Sequence, residues 1–350
     1  MLQTNFDLQP YNTFGISVKC DYFGRFSSVD ELKSQLAEVK KLNLPLLVLG
    51  GGSNLLLTKD FKGVVLRNKI MGFEIVGDVS DFDSAKPSDG KKGIIVRSGA
   101  GEVWHEFVLK CLDKNLAGIE NLSLIPGSVG ASPMQNIGAY GVEIKDTFHQ
   151  LEALHITSGE VHSFNAEQCA FGYRESVFKR ELKDQYIITS VEFCLQKEAM
   201  VNTSYGAIND ELAERGITEP TIRDVSNAVT AIRESKLPNP KEIGNAGSFF
   251  KNPVIEKAQA EKLLAAHPDM PQYPDRKNPT LTKLAAGWLI EKAGFKGMRI
   301  ENYGVHAKQA LVLVNYGGSK GQDIYDLSTK ILETVKEKFG VQLEREVNIL

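Results

Sequence analysis

Short apolar runs separated by turns rich in glycine and aspartate fill the N-terminal part of the chain, and this pattern predicts β-strands. The turn Ser158-Gly159 between two such runs indicates a hairpin. The polar stretch 80–92 indicates a solvated loop. The expected strands are 46–49, 64–66, 73–76, 94–96, 151–156, 161–164 and 186–195.

Apolar residues at helical spacing become frequent in the C-terminal part. Thr221 followed by Asp224 is a capping signal, and it predicts a helix that ends near Lys236, where residues 237–240 contain two prolines. We place a domain boundary near this helix and expect a small mixed domain beyond it. The other expectations are a helix beginning near residue 103, helices at 255–266, 284–293 and 322–339, and strands at 310–314 and 343–349.

Three glycine-rich turns are associated with the strand-like runs, at residues 50–54, 98–101 and 125–141. Glycine has no Cβ atom, so the backbone N–H groups of such turns can approach a diphosphate closely. The turn at 50–54 does not fit the Rossmann pattern, which needs spaced glycines that open a helix and an acidic residue downstream. Any one of these turns alone would be read simply as a turn. Together they predict one large cofactor wrapped by several loops.

Composition limits the classes of partner. The 350 residues can form two or three domains, and a formal charge of -3 with 24% charged residues favours neither nucleic acid nor a membrane surface as a partner. No signal peptide and no apolar run of about 20 residues is present, so we expect a cytoplasmic protein. The histidines show no metal-ligand spacing, and we assign no metal. Buried free thiols are expected for Cys20, Cys111, Cys169 and Cys194.

Four motifs carry a resemblance to a known family. They are VLGGGSNL at 48–55, IPGSVGASPMQNIGAYG at 125–141, FGYRESVFK at 171–179 and GNAGSFFKNP at 244–253. In these motifs the chain resembles the UDP-N-acetylenolpyruvoylglucosamine reductases (MurB family, type I branch) of bacterial cell-wall synthesis. The match keeps one order along nearly the whole chain, from 12–15 to 344–347. Such collinearity is much more specific than any single motif.

The resemblance implies an α+β fold with an FAD-binding part of the vanillyl-alcohol oxidase/p-cresol methylhydroxylase type. This part would comprise two subdomains, 1–69 and 70–223. A mixed α/β substrate-binding domain would follow at 224–350, with its C-terminal strand returning to the active site. The implied activity is reduction of UDP-N-acetylglucosamine enolpyruvate to UDP-N-acetylmuramate by NADPH, with noncovalent FAD, in peptidoglycan biosynthesis. The family thereby serves cell shape and cell division.

The resemblance also implies catalytic roles for Arg174, Ser248 and Glu346. Adding hydride to an enol ether conjugated to a carboxylate leaves negative charge, which a guanidinium stabilises well. Ser248 would then donate a proton, if it lies at hydrogen-bond distance. Glu346 can join only if it is protonated or paired with a cation. From the residues alone, simpler interpretations are available. Ser248 would be a turn-capping hydroxyl, Arg174 would form an ion pair with Glu175, and Glu346 would be a charge on an exposed strand.

Further contacts follow from the resemblance. A loop carrying Tyr205 would close on the substrate diphosphate, and Lys236, Asn252 and Gln309 would also contact the UDP-sugar. For Lys236, a charge that complements the helix dipole is an equally good interpretation. The implied FAD contacts are Gly50, Gly51, Gly52, Ser53, Asn54, Pro126, Gly127, Ser128, Gly130, Ala131, Gln135, Asn136, Gly138, Ala139 and Tyr140.

The chain departs from the family pattern at Asn348, where arginine is common, and this puts one local salt link in doubt. Two other functions stay open. An FAD-dependent alcohol oxidase of the same fold would lack the diphosphate contacts Tyr205 and Lys236 and the acid Ser248. A noncatalytic FAD-binding protein would not need the three catalytic residues.

Overall fold

The computed structural model describes residues 2–79, 93–274 and 278–350, which form two compact units. The first unit comprises Met1–Phe6, Cys20–Gly51 and Lys62–Ser235. The second comprises Asp7–Lys19, Gly52–Phe61 and Lys236–Leu350. The expected bounds of the two subdomains and the substrate domain stay a prediction. The loop expected at 80–92 lies outside the described residues.

The strands are β1 Gln3–Asp7, β2 Lys19–Phe26, β3 Leu46–Leu49, β4 Leu55–Leu56, β5 Phe61–Asn68, β6 Phe73–Val79, β7 Gly93–Gly99, β8 Gly138–Ala139, β9 Val142–Glu143, β10 Phe148–His155, β11 Val161–Asn165, β12 Tyr186–Gln196, β13 Gly244–Ser248, β14 Val254–Glu256, β15 Gln272–Pro274, β16 Leu281–Leu284, β17 Arg299–Ile300, β18 Tyr303–Val305, β19 Val312–Asn315 and β20 Asn348–Ile349. The α-helices are α1 Val29–Leu42, α2 Trp104–Asp113, α3 Ala166–Cys169, α4 Gly206–Glu214, α5 Ile222–Lys236, α6 Lys257–Ala266, α7 Ala286–Lys292 and α8 Gly321–Phe339. Short 3-10 helices lie at Gln9–Tyr11, Glu120–Leu122, Val129–Ala131, Pro133–Gln135, Ile144–Asp146 and Val177–Lys179.

One sheet has the strand order β1-β2-β5-β3, and β3 runs parallel to β5. Helix α1 packs on this sheet because Leu32, Leu36 and Val39 recur at helical spacing on its buried face. The Ser28 side chain accepts the Glu31 N–H and caps the start of this helix. The strand expected at 46–49 is confirmed, and it ends at the first glycine turn.

A larger antiparallel sheet in the first unit has the order β11-β10-β12-β7-β6. The predicted hairpin is confirmed, because Leu154 of β10 pairs with Val161 of β11. Helix α2 covers this sheet with Trp104 and Phe107, whose rings pack against Phe193 of β12. The glycine turn at 98–101 joins β7 to this helix, so burial of α2 fixes where that turn lies.

The second unit contains a four-stranded sheet of order β13-β19-β18-β17 and a three-stranded sheet of order β14-β16-β15. Strand β20 pairs in parallel with β4. The predicted helix at 322–339 is confirmed as α8, with a buried face that includes Ile324, Ile331 and Val335. Helix α5, which belongs to the first unit up to Ser235, begins at Ile222 as predicted, because the Asp224 carboxylate accepts the backbone N–H of Thr221.

Two predicted helices and two predicted strands differ from the structure. The strand expected at 310–314 begins at Val312 as β19. The helix expected at 255–266 begins at Lys257, because the residues before it pair with β16 as β14. The helix expected at 284–293 begins at Ala286, because Leu284 still pairs with β15 as the last residue of strand β16. Apolar residues in a short strand and in a first helical turn look alike in sequence, so periodicity misplaced both starts.

The strand expected at 343–349 is also wrong in extent. Only Asn348–Ile349 forms a regular strand, and Arg345 makes an isolated bridge with Phe250. Alternation in sequence does not show whether a partner strand is present beside each residue. Within the described part of the chain, no helix is long and apolar enough to cross a membrane. All four cysteines are free and buried.

Candidate active site

The glycine turns of the first unit meet each other. A Cβ atom on Gly50 would collide with the Ser128 side chain, and one on Gly51 would lie 3.0 Å from the Gly127 Cα atom. A Cβ atom on Gly130 would lie 2.5 Å from the Cβ atom of Ala100, which belongs to the turn at 98–101. The structure therefore brings all three predicted turns together, and glycine permits this close approach of backbones.

The same loop continues into the second unit at Gly52, whose φ is +63°. Its carbonyl oxygen accepts hydrogen bonds from Thr13 N, at 3.0 Å, and from Thr13 Oγ1, at 3.3 Å. Because a trans peptide holds its C=O and N–H groups on opposite sides, the Ser53 N–H points away from Thr13. The Asn54 side chain donates to the Glu346 carbonyl at 3.3 Å. The bonds of Gly52 and Asn54 therefore fix the shape of this part of the loop.

The glycine turns of the first unit fit the diphosphate of a dinucleotide. They form a cradle of backbone and small side chains, and added Cβ atoms would collide with the neighbouring loops and push the turns apart. The Asn136 side chain makes its hydrogen bonds within the protein. Its Nδ2 donates to Glu143 Oε2 and Gly172 O, and its Oδ1 accepts from Lys145 N. Its side chain thus fixes the shape of the motif at 125–141.

Arg174 lies in the first unit, in a left-handed backbone conformation with φ +56°. Its Nη2 donates to the Gly138 carbonyl at 2.7 Å, and its Cζ lies 5.6 Å from the centroid of the Tyr173 ring. The neighbouring Glu175 carboxylate pairs with Arg180 Nε at 3.1 Å. These contacts orient the guanidinium beside one of the predicted FAD-binding strands, β8.

Arg233 of α5 is a candidate that the sequence did not single out. Its Nε donates to the Leu124 carbonyl at 3.2 Å, and its guanidinium is hydrogen bonded to the Tyr140 hydroxyl. Burial lowers the pKa of Arg233, and the nearby positive charge of Arg174 lowers it further. Burial also raises the pKa of Tyr140, whose ring meets that of Tyr205 edge-on at 5.1 Å. The available signal was an arginine four residues after Val229, next to the apolar face of the helix.

Ser248 and Glu346 lie on neighbouring segments of the second unit. The Glu346 N–H donates to the Phe249 carbonyl at 2.8 Å, and Ser248 pairs with Val312 of β19. Gly247 has φ +69°, and its N–H is capped by the Asn245 side chain at 2.9 Å. Within the described residues the Ser248 hydroxyl makes no hydrogen bond, so the capping function belongs to Asn245.

The segment that carries Glu346 is held on both sides. Arg345 donates to Ser328 Oγ at 2.7 Å and to Thr329 Oγ1 at 2.6 Å, both on α8. The Asn348 side chain donates to the Asn54 carbonyl at 3.0 Å. Asparagine at position 348 thus makes a local hydrogen bond to the glycine-turn loop.

The predicted substrate contacts lie in several places. Tyr205 is 48% exposed and precedes α4, and Lys236 is the exposed last residue of α5. Asn252 and Gln309 both lie near the start of α7. Asn252 Oδ1 accepts the Ala286 N–H at 3.0 Å. Among the residues that the structure describes, no group of three or more His, Cys, Asp or Glu side chains could hold a metal ion.

Comparison with known proteins defines the class first. A family model described as an FAD binding domain matches residues 21–165, and with the glycine cradle it identifies an FAD-dependent oxidoreductase. The crystal structure of UDP-N-acetylenolpyruvylglucosamine reductase from Thermus caldophilus has a TM-score of 0.64 at 23% identity. The alignment covers 100% of this chain and 99% of that one, and the predicted fold class is confirmed.

The particular family follows from closer relatives. A family model described as UDP-N-acetylenolpyruvoylglucosamine reductase, C-terminal domain, matches residues 239–350. The reductase of that name from Flavobacterium johnsoniae is 51% identical over 100% of this chain and 99% of its own length. The one from Pseudomonas aeruginosa is 48% identical over 99% of this chain and 98% of its own. The chain belongs to the UDP-N-acetylenolpyruvoylglucosamine reductase family.

Proposed function

We propose that this protein reduces UDP-N-acetylglucosamine enolpyruvate to UDP-N-acetylmuramate with NADPH, a step of peptidoglycan biosynthesis. The observation that carries this proposal is 51% identity to a reductase of that name over the whole chain. Arg174, Ser248 and Glu346 stand at the positions where the motifs place the catalytic groups. The protein is an FAD-dependent oxidoreductase, and NADPH is its reductant.

FAD, when bound, supplies the carrier that takes a hydride from NADPH and delivers it to the enolpyruvyl group. The glycine turns of the first unit, at 50–51 and 125–131, would hold its diphosphate through backbone N–H groups. Asn136 would keep its loop in shape through bonds to Glu143 and Gly172.

Arg174 would stabilise the negative charge that hydride addition leaves on the enolpyruvyl carboxylate. A guanidinium stays charged at every working pH and can hold a carboxylate through two parallel hydrogen bonds. The bond from Arg174 Nη2 to the Gly138 carbonyl orients the group before substrate arrives, so little reorganisation is needed.

Ser248 would donate the proton that completes the reduction. Its hydroxyl makes no hydrogen bond within the described residues, so no internal bond has to break before it meets substrate. Asn245 and the left-handed Gly247 set the backbone from which this hydroxyl projects. The Glu346 N–H donates to the carbonyl of Phe249, the residue after Ser248. Glu346 would assist the proton transfer as a protonated acid or beside a cation.

Tyr205, Lys236, Asn252 and Gln309 would bind the UDP-sugar. Lysine suits a diphosphate as a compact point charge, and an exposed tyrosine on a loop can close over bound phosphate. Asn252 already uses its Oδ1 at the start of α7, which leaves its Nδ2 as the group for substrate.

We also propose a cytoplasmic location. The four cysteines are buried free thiols, as is usual for proteins of a reducing compartment, and NADPH is a reductant of such compartments.

The two half-reactions test the function. Under anaerobic conditions, NADPH should bleach the purified yellow protein, and adding UDP-N-acetylglucosamine enolpyruvate should restore its colour. An alcohol oxidase would recover colour only with oxygen, and a noncatalytic FAD-binding protein would not be bleached quickly. Failure of the UDP-sugar to restore the colour contradicts the proposed function.

A further inference from the structure

His105, the second residue of α2, takes no part in the chemistry above. Its Nδ1 accepts a hydrogen bond from the Leu124 N–H at 2.9 Å. Because Nδ1 is the acceptor, the neutral ring must carry its proton on Nε2. The imidazole therefore holds one specific backbone group of the turn that precedes the motif at 125–141.

Leu124 is held in an unusual state. Its φ is +57°, in the left-handed region that a leucine adopts only when its surroundings hold it there. Its N–H donates to His105, and its carbonyl accepts from Arg233 Nε at 3.2 Å. One strained residue thus connects the imidazole of α2 with the guanidinium of α5.

Arg233 lies near a second cation. Its charge interacts unfavourably with Arg174, while the Tyr140 hydroxyl is hydrogen bonded to it. Within the described residues, Arg233 forms no salt bridge with a carboxylate. A buried guanidinium beside a second positive charge is stabilised by a nearby anion. Arg233 is therefore placed to accept an anionic ligand.

We propose that His105 is a positioning residue that, by holding Leu124, keeps Arg233 beside Arg174, where the two cations bind an anionic group of the ligand. The identity of that ligand as the UDP-sugar or NADPH rests on the proposed function. His105 acts through its Nδ1 lone pair, so an isosteric group with an acceptor at that place can replace it.

The proposal has a pH dependence. Protonation turns Nδ1 into a donor and removes the bond to Leu124. Burial lowers the pKa of His105 below its ordinary value of 6.5. Of the charged groups that face it, Arg233 lowers the pKa further, whereas Glu106 and Glu234 raise it. The neutral form is thus present at neutral pH, and KM should rise as pH falls through the lowered pKa.

Two amide variants separate positioning from packing. In His105→Asn the Oδ1 atom takes the place of Nδ1, whereas in His105→Gln the Oε1 atom takes the place of Nε2. We expect His105→Gln to raise KM for the UDP-sugar about tenfold with little change in kcat, the usual effect of one lost hydrogen bond to a binding group. His105→Asn should keep KM near that of the wild type and lose the rise at low pH.

The variants are measured as FAD-loaded protein, by initial rates of NADPH oxidation, with FAD content and Tm as controls. In an Arg233→Gln background, His105→Gln should have no further effect on KM, because it acts through Arg233. Equal KM for the Asn and Gln variants, a loss of FAD in step with KM, or multiplying effects in the double variant would overturn the proposal. If the wild type does not reduce the UDP-sugar, the proposed function fails, and the Kd of NADPH for the same variants then decides the role of His105.

Discussion

Replacing Ser248 by alanine separates proton donation from structural support. The hydroxyl makes no hydrogen bond within the described residues, and the nearby turn is capped by Asn245. We therefore expect Ser248→Ala to leave FAD binding and bleaching by NADPH nearly intact. Only the step that returns colour on addition of the UDP-sugar should slow.

The expected magnitudes differ enough to distinguish the two roles. Losing a positioned acid slows a reaction by about 10² to 10⁴, which corresponds to about 2.7 to 5.4 kcal/mol of activation free energy. The free energy of unfolding should change by no more than about 0.5 kcal/mol, since no internal bond is lost. Asn245→Ala is the matched control. It removes the bond to the Gly247 N–H and two bonds to the carbonyls of Pro238 and Ile243.

Stopped-flow absorbance of each half-reaction makes the measurement, with thermal unfolding alongside. Asn245→Ala should lower Tm and weaken both half-reactions, whereas Ser248→Ala should affect the second alone. Equal and modest losses in both half-reactions of Ser248→Ala would refute the assignment. Deuterium from solvent reaching the product at the wild-type rate in that variant would refute it as well.

Three more substitutions test the rest of the site. Gly130→Val should yield colourless protein, because the added Cβ would lie 2.5 Å from the Ala100 Cβ and push the glycine turns apart. Gly77→Val is the control, since its Cβ would point into open space, and full FAD content in Gly130→Val would show that the cradle is misassigned. Tyr205→Phe should raise KM for the UDP-sugar about tenfold while keeping the ring in place, and an unchanged KM would exclude a hydroxyl contact to substrate. Arg174→Lys should slow the return of colour at least about 10²-fold with normal FAD content, because lysine lacks the planar fork; a rate near that of the wild type would contradict charge stabilisation by the guanidinium.

Local patterns in the sequence were sufficient for most strands, for the hairpin around Ser158-Gly159 and for the starts of α5 and α8. Each depends on residues a few positions apart, such as the cap formed by Asp224 on Thr221. The glycine turns were also visible, because glycine is required wherever backbones approach closely. The ordered motifs then predicted the family, which the relatives confirm.

Contacts between distant residues were decided by tertiary structure alone. The pairing of Leu55–Leu56 with Asn348–Ile349 joins parts of the chain that no local rule connects. The same holds for the sequence of bonds from His105 through Leu124 to Arg233. The physical reason is that propensity and periodicity act over a few residues, whereas the partner of each polar group depends on how the whole core packs.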